Sequence, residues 1–145
     1  MLRRYFDDPG ITTDLIVGFP GEDEAEFGQT LDFISEMGFS AMHIFPYSRR
    51  SGTPAAKMPD QLSNSVKSER ARRAGEVAES MKRDYMRRQI GKWTEVLFEE
   101  VRGGLWVGHT PNYLEVCLQR EESLNNTVKK VRLTGISGEQ MTCEE

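Results

Sequence analysis

Cysteine is scarce and poorly placed for chemistry. Cys117 and Cys143 are the only two in 145 residues, and neither belongs to a CxxC pair. That excludes a disulfide framework, a zinc finger, or an iron–sulfur site held by this chain's own residues. Histidine is equally sparse. His43 and His109 have no partner at ligand spacing, no Ser/His/Asp or Cys/His set can be assembled, and both read as structural. No charge-free stretch reaches the roughly 18 residues of a membrane-spanning helix. The first eight residues, MLRRYFDD, run straight into acids without the apolar core of a secretory signal. These absences predict a cytoplasmic protein with no membrane partner.

What is present is ordinary for a soluble chain: 37% hydrophobic, 29% charged, net charge −4. The length suits one compact domain or two small ones. Charge is unevenly spread. Residues 64–90 hold eight bases (Lys67, Arg70, Arg72, Arg73, Lys82, Arg83, Arg87, Arg88) against four acids, a local excess of +4 within an acidic chain. This basic stretch is open to two readings: a track for an RNA backbone, or the solvated face of an amphipathic helix.

Residues 11–19 (ITTDLIVGF) are β-branched and aromatic, as in a strand buried on both faces. Pro20-Gly21 stops that strand. Asp23 followed by Glu26 is a capping-box pattern, and Phe27, Leu31 and Ile34 continue at helical spacing, so a helix is expected over 24–37, ending at Gly38. Residues 41–47 (AMHIFPY) read as a second strand, which makes a βαβ unit with parallel strands. A loop with Gly52, Pro54 and Pro59 precedes a long helix over about 64–90, which Gly91 ends. Beyond Gly91 come short strands at 94–99, 105–108, 113–118, 127–133 and 139–143, the cadence of a small antiparallel barrel. The expected domains are 1–90 and 91–145. Two parallel strands leave unpaired edges and uncovered apolar faces, so the chain is expected to be the C-terminal piece of a longer α/β protein, prone to self-association when isolated.

Gly18-Phe19-Pro20-Gly21-Glu22 lies where a parallel strand ends and a helix begins, the edge at which ligands bind in such sheets. Four acids at that helix start (Glu22, Asp23, Glu24, Glu26) disfavour a phosphate and suit a neutral face such as adenine; a tight turn before a capped helix explains the residues equally well. A nucleotide-binding α/β protein, with Gly18–Gly21 as a phosphate cradle, is the competing class. Residues 45–54 (FPYSRRSGTP) leave the next strand at the same edge, with aromatics and two arginines suited to a base and a phosphate, or to a solvated loop. Trp106 and Tyr113 could stack on bases or fill a barrel core. Lys129, Lys130 and Arg132 are the candidate phosphate contacts there.

These segments together resemble one family. Residues 11–22 (ITTDLIVGFPGE) are similar to the fifth strand and following loop of radical S-adenosylmethionine methylthiotransferases, and residues 43–56 (HIFPYSRRSGTPAA) to their sixth. The Arg49-Arg50 version is most like the branch that modifies threonylcarbamoyladenosine beside the tRNA anticodon, with the isopentenyladenosine branch as the alternative. The tail from Gly91, with its GHTPNY turn at 108–113, resembles a TRAM domain, an OB-like RNA-binding barrel. The resemblance implies an α/β fragment of a partial TIM-type barrel (βαβ plus long helix) followed by a small all-β barrel. It implies an adenine wall for S-adenosylmethionine made by Val17, Gly18, Phe19, Phe45 and Tyr47, and tRNA anticodon stem-loop contacts at Arg49, Arg50, Lys129, Lys130 and Arg132. It further implies methylthio transfer to C2 of the adenosine, with two [4Fe–4S] clusters ligated by upstream domains. The chain alone should then be inactive. A stand-alone RNA-binding module without catalysis is the other class in view.

Overall fold

The computed structural model describes residues 2–145. They form two compact units: Ile11–Arg83, and Asp84–Glu145 together with the described residues up to Gly10.

In the first unit, β1 (Thr12–Val17) and β2 (Ala41–Pro46) pair in parallel, from Thr12 opposite Ala41 to Val17 opposite Pro46. Helix α1 (Glu24–Met37) connects them. Its start is the expected capping box: the Glu26 N–H donates to Asp23 Oδ1 at 2.7 Å and the Asp23 N–H to Glu26 Oε2 at 3.0 Å. Left-handed Gly38 closes its end. Helix α2 (Asn64–Gln89) begins in this unit and its last turn belongs to the other. Val17, Phe27 and Ala74 are fully buried together, with Leu15, Leu31, Ile44 and Ala71 packed around them.

Both helices therefore cover the side of the sheet that carries Leu15 and Val17. The other face, with Thr12, Asp14 and Ile16 on β1 and Ala41, His43 and Phe45 on β2, is exposed. This corrects the expectation of a strand buried on both faces, since successive side chains of a strand alternate and only one set meets a helix. The strand also stops at Val17, because Gly18 turns into the left-handed region (φ 71°).

The second unit is a closed barrel of β3 (Trp93–Arg102), β4 (Leu105–His109), β5 (Glu115–Leu118), β6 (Thr127–Ser137) and β7 (Gln140–Glu144), in ring order β3-β4-β5-β7-β6. All neighbours are antiparallel except β5 and β7, which are parallel. The wholly antiparallel barrel expected from sequence is thus corrected: around a ring of five strands directions cannot alternate throughout, so one pair must run the same way. Val96, Phe98, Val116, Val131, Leu133 and Met141 fill the interior, joined by Tyr85 and Met86 of α2. A Cβ at Gly108 would fall on the Leu97 carbonyl oxygen, so β4 can cross the β3 bulge between Phe98 and Glu100 only as glycine. β5 begins at Glu115, two residues later than expected, because Tyr113 takes φ 66° and closes the turn.

Candidate functional site

At the C-terminal ends of β1 and β2 the open sheet face continues into a cleft of about 500 Å³, lined by Ile16, Phe19, Phe45, Tyr47, Arg50 and Thr53 among others. Ile16 and Phe45 are direct cross-strand partners. The Phe19 and Tyr47 rings meet edge to face, with centroids 5.2 Å apart. Three of the five expected adenine-wall residues, Phe19, Phe45 and Tyr47, thus border one cleft. The other two act from behind it. Val17 is wholly buried and its carbonyl accepts the Tyr47 N–H at 2.8 Å. The Tyr47 carbonyl in turn accepts from Lys67 Nζ of α2 at 3.2 Å. The Tyr47 hydroxyl is buried with no hydrogen-bond partner among the described residues.

Gly18 serves the turn through its backbone. Its N–H donates to Glu22 Oε2 at 2.7 Å, and the same carboxylate oxygen accepts from Arg70 Nη1 at 2.6 Å. Arg70 Nη1 also donates to the Glu22 carbonyl at 2.8 Å, and the guanidinium lies over the Phe27 ring at 5.2 Å. A residue of this chain therefore occupies the amide that a phosphate cradle would offer, and it carries negative charge. That geometry removes the reading of Gly18–Gly21 as a phosphate loop.

The two adjacent arginines have different employment. Arg49 Nε donates to the Ala56 carbonyl at 2.8 Å and so ties the loop after β2 together. Arg50 borders the cleft, is exposed, and its guanidinium has no hydrogen-bond or ion-pair partner among the described residues. Along α2 the basic excess is largely matched by acids: Arg72 bridges Glu69 and Glu76, Arg73 reaches Glu24, Arg83 pairs with Glu79 and Arg87 with Asp84. Arg88 and Lys92 share Asp8. Such pairing leaves no long row of unpaired cations on this helix.

On the barrel, strand alternation separates the three basic candidates. Lys130 and Arg132 stand opposite Glu95 and Trp93 on the outer face. Lys129 stands opposite buried Val96, on the other side of the strand, and its Nζ lies 3.5 Å from Glu145. Trp93, 57% exposed, was missed in the sequence; the outward alternation Trp93, Glu95, Leu97 is the signal that could have found it. Trp106 packs against the core, whereas Tyr113 is 86% exposed and its ring lies 5.9 Å from His109. His109 Nδ1 is 3.0 Å from Glu99 Oε2. The turn is anchored from below: Asn112 Nδ2 donates to the Tyr85 hydroxyl at 2.7 Å.

Burial pushes the Cys143 thiol up to about 12 and raises Cys117 as well, which disfavours the thiolate form of both in the barrel wall. Among the described residues no group of three or more His, Cys, Asp or Glu is placed to hold a metal ion, and no helix is long and apolar enough to cross a membrane.

No protein-family model matches the chain. Among curated proteins it is similar to "Threonylcarbamoyladenosine tRNA methylthiotransferase MtaB" of Bacillus subtilis, with 37% identity over 137 residues, 91% of this chain and 30% of the relative. It is 40% identical over 136 residues to "tRNA-2-methylthio-N(6)-dimethylallyladenosine synthase" of Symbiobacterium thermophilum, covering 92% of this chain and 29% of that protein. The protein of the same name from Mycolicibacterium smegmatis is 51% identical over 96 residues, 66% of this chain and 19% of its own length. The chain spans about a third or less of the relatives it matches.

Proposed function

The homologues of this chain are tRNA methylthiotransferases, matched over their C-terminal stretch, and from that premise we propose that it is the C-terminal part of such an enzyme. The observation that carries the reading is identity at 37% over 91% of the chain to a protein of that named activity. In this reading the βαβ unit and long helix close a radical S-adenosylmethionine barrel begun by upstream segments, and the β3–β7 barrel is a TRAM-type RNA-binding domain. The exposed β1–β2 face is then the inside of the larger barrel.

The cleft suits the adenine of S-adenosylmethionine. Its lining is aromatic and apolar, and Tyr47 carries a buried hydroxyl that lacks a partner. Phe19, Phe45 and Tyr47 would hold the base, with Val17 and Gly18 fixing the backbone behind them. When bound, S-adenosylmethionine supplies the methyl group and the cleavable sulfonium on which methylthio transfer depends. The residues here orient the base and keep water off its face. They do not suit an iron–sulfur cluster, so cluster ligands are assigned to upstream segments and the chain by itself is assigned no turnover.

The transfer is assigned to C2 of threonylcarbamoyladenosine beside the anticodon. The dimethylallyladenosine reading stands second, favoured by the 40% identity to a synthase of that name. Arg50 beside the cleft and the outer barrel face bearing Trp93, Lys130 and Arg132 are the proposed tRNA contacts, while Arg49 and Lys129 serve mainly to hold structure. The test is binding of an anticodon stem-loop RNA to the natural full-length protein across a salt series. Binding that weakens steeply with salt, and more so than for a scrambled stem, supports the reading; no binding at low salt contradicts it.

A further inference from the structure

Lys67 stands beside the aromatic cleft without bordering it. β2 ends at Pro46, and beyond it two hydrogen bonds hold the backbone of Tyr47. Its N–H donates to the Val17 carbonyl at 2.8 Å, and its carbonyl accepts from Lys67 Nζ at 3.2 Å. The same ammonium lies 5.9 Å from the centroid of the Tyr47 ring. Lys67 is in the first turn of α2, is half-buried, and forms no ion pair with a carboxylate among the described residues. Its charge is thus directed at the backbone and ring of one cleft residue.

The stem of Lys67 is as closely placed as its charge. A Cβ at Gly18 would fall on Lys67 Cγ, so this side chain can lie against the exit of β1 only because residue 18 is glycine. Phe19 follows Gly18 directly, and its ring meets the Tyr47 ring edge to face. One side chain of α2 therefore abuts both strand exits that supply these two rings. We propose, resting on the functional reading above, that Lys67 is a positioning residue for the adenine of S-adenosylmethionine. It touches no ligand; it holds Tyr47 where the base packs, so that the wall is formed before the cofactor arrives. Freezing a loose wall side chain on binding would cost about three- to tenfold in affinity. Ligands that share the adenine should feel that cost equally, whatever they carry at the other end.

The test measures binding to the natural full-length protein, purified without oxygen, by equilibrium dialysis of S-adenosylmethionine and of methylthioadenosine, which keeps the adenosine and lacks the amino-acid group. Lys67→Met keeps most of the stem against Gly18 and removes the ammonium. It should weaken both ligands by the same factor, about three- to tenfold, and leave affinity for an anticodon stem-loop RNA unchanged. Lys67→Arg, which restores a donor for the Tyr47 carbonyl and a cation for its ring, should recover most of the loss. Unchanged binding of both ligands by Lys67→Met would overturn the inference. So would weakening of S-adenosylmethionine alone, which would assign the ammonium to the amino-acid carboxylate instead of the wall. RNA affinity falling in step with ligand affinity, with no recovery in Lys67→Arg, would make Lys67 a general prop of the fold and overturn it as well. A wild type that binds neither ligand would overturn the functional reading itself.

Discussion

The Glu22 carboxylate and the Arg70 guanidinium meet at 2.6 Å beneath the turn that leads out of β1, and both side chains are largely buried. This pair joins the turn before α1 to the first half of α2 across 48 residues of sequence. It also holds the Gly18 amide, so the shape of the turn beside the cleft depends on it.

Removing one partner would leave the other charge buried. Arg70→Ala should destabilise the Ile11–Arg83 unit by about 3–5 kcal/mol, and Glu22→Gln by less because the amide can still accept from Gly18 and Arg70. Urea unfolding of the natural protein measures both. A loss below 1 kcal/mol for Arg70→Ala would mean the pair is not a closing contact.

Because Glu22 already fills the Gly18 amide and adds negative charge, nucleoside triphosphates should not bind there. Millimolar ATP or GTP without magnesium should leave the melting temperature unchanged. A clear rise would restore the phosphate-cradle class that the geometry removes.

In the barrel unit, Tyr85 takes a hydrogen bond from Asn112 and lies buried in the core. Tyr85→Phe keeps the packing but strips the Asn112 amide of its acceptor, at a cost of about 1–2 kcal/mol. Asn112→Ala should cost a similar amount, and the double variant should show that the two losses are not additive. Full additivity in unfolding measurements would sever the proposed link between helix and turn.

Acid should weaken the same unit through Asp8. Burial alone would raise its carboxyl, but Lys92 and Arg88 beside it outweigh that and hold it below the ordinary value of 3.8. With the folded value lower than the unfolded one, the stabilisation is present above the unfolded value and disappears as pH falls through the folded one. Asp8→Asn should therefore lower stability near neutrality and flatten its decline below about pH 4. An acid limb as steep as that of the wild type would contradict this.

Much of the fold was legible because its signals are local. Asp23 and Glu26 lie three residues apart and cap the same turn, and Gly38 ends the helix they start. The features that were not legible depend on partners distant in sequence. Arg70 looked like one of eight solvated bases until the fold brought it to Glu22, and Arg49 looked equivalent to Arg50 until the loop closed on Ala56. Lys129 and Lys130 are the instructive pair: adjacent residues of one strand face opposite ways, so they could not share one phosphate-binding face. Which of them faced outward required the register against β3, where Val96 opposes Lys129 and Glu95 opposes Lys130. The parallel contact of β5 with β7 was hidden for a similar reason, since local pattern shows strands but not the order in which a ring closes.

If this chain is part of an enzyme that places a methylthio group on a tRNA adenosine, the modified nucleosides of its host's tRNA report it. The most direct measurement is mass spectrometry of nucleosides from tRNA of the native host, before and after disruption of the coding sequence. Disruption should remove 2-methylthio-threonylcarbamoyladenosine and accumulate threonylcarbamoyladenosine, and the wild-type gene should restore the profile. An unchanged nucleoside profile would contradict it.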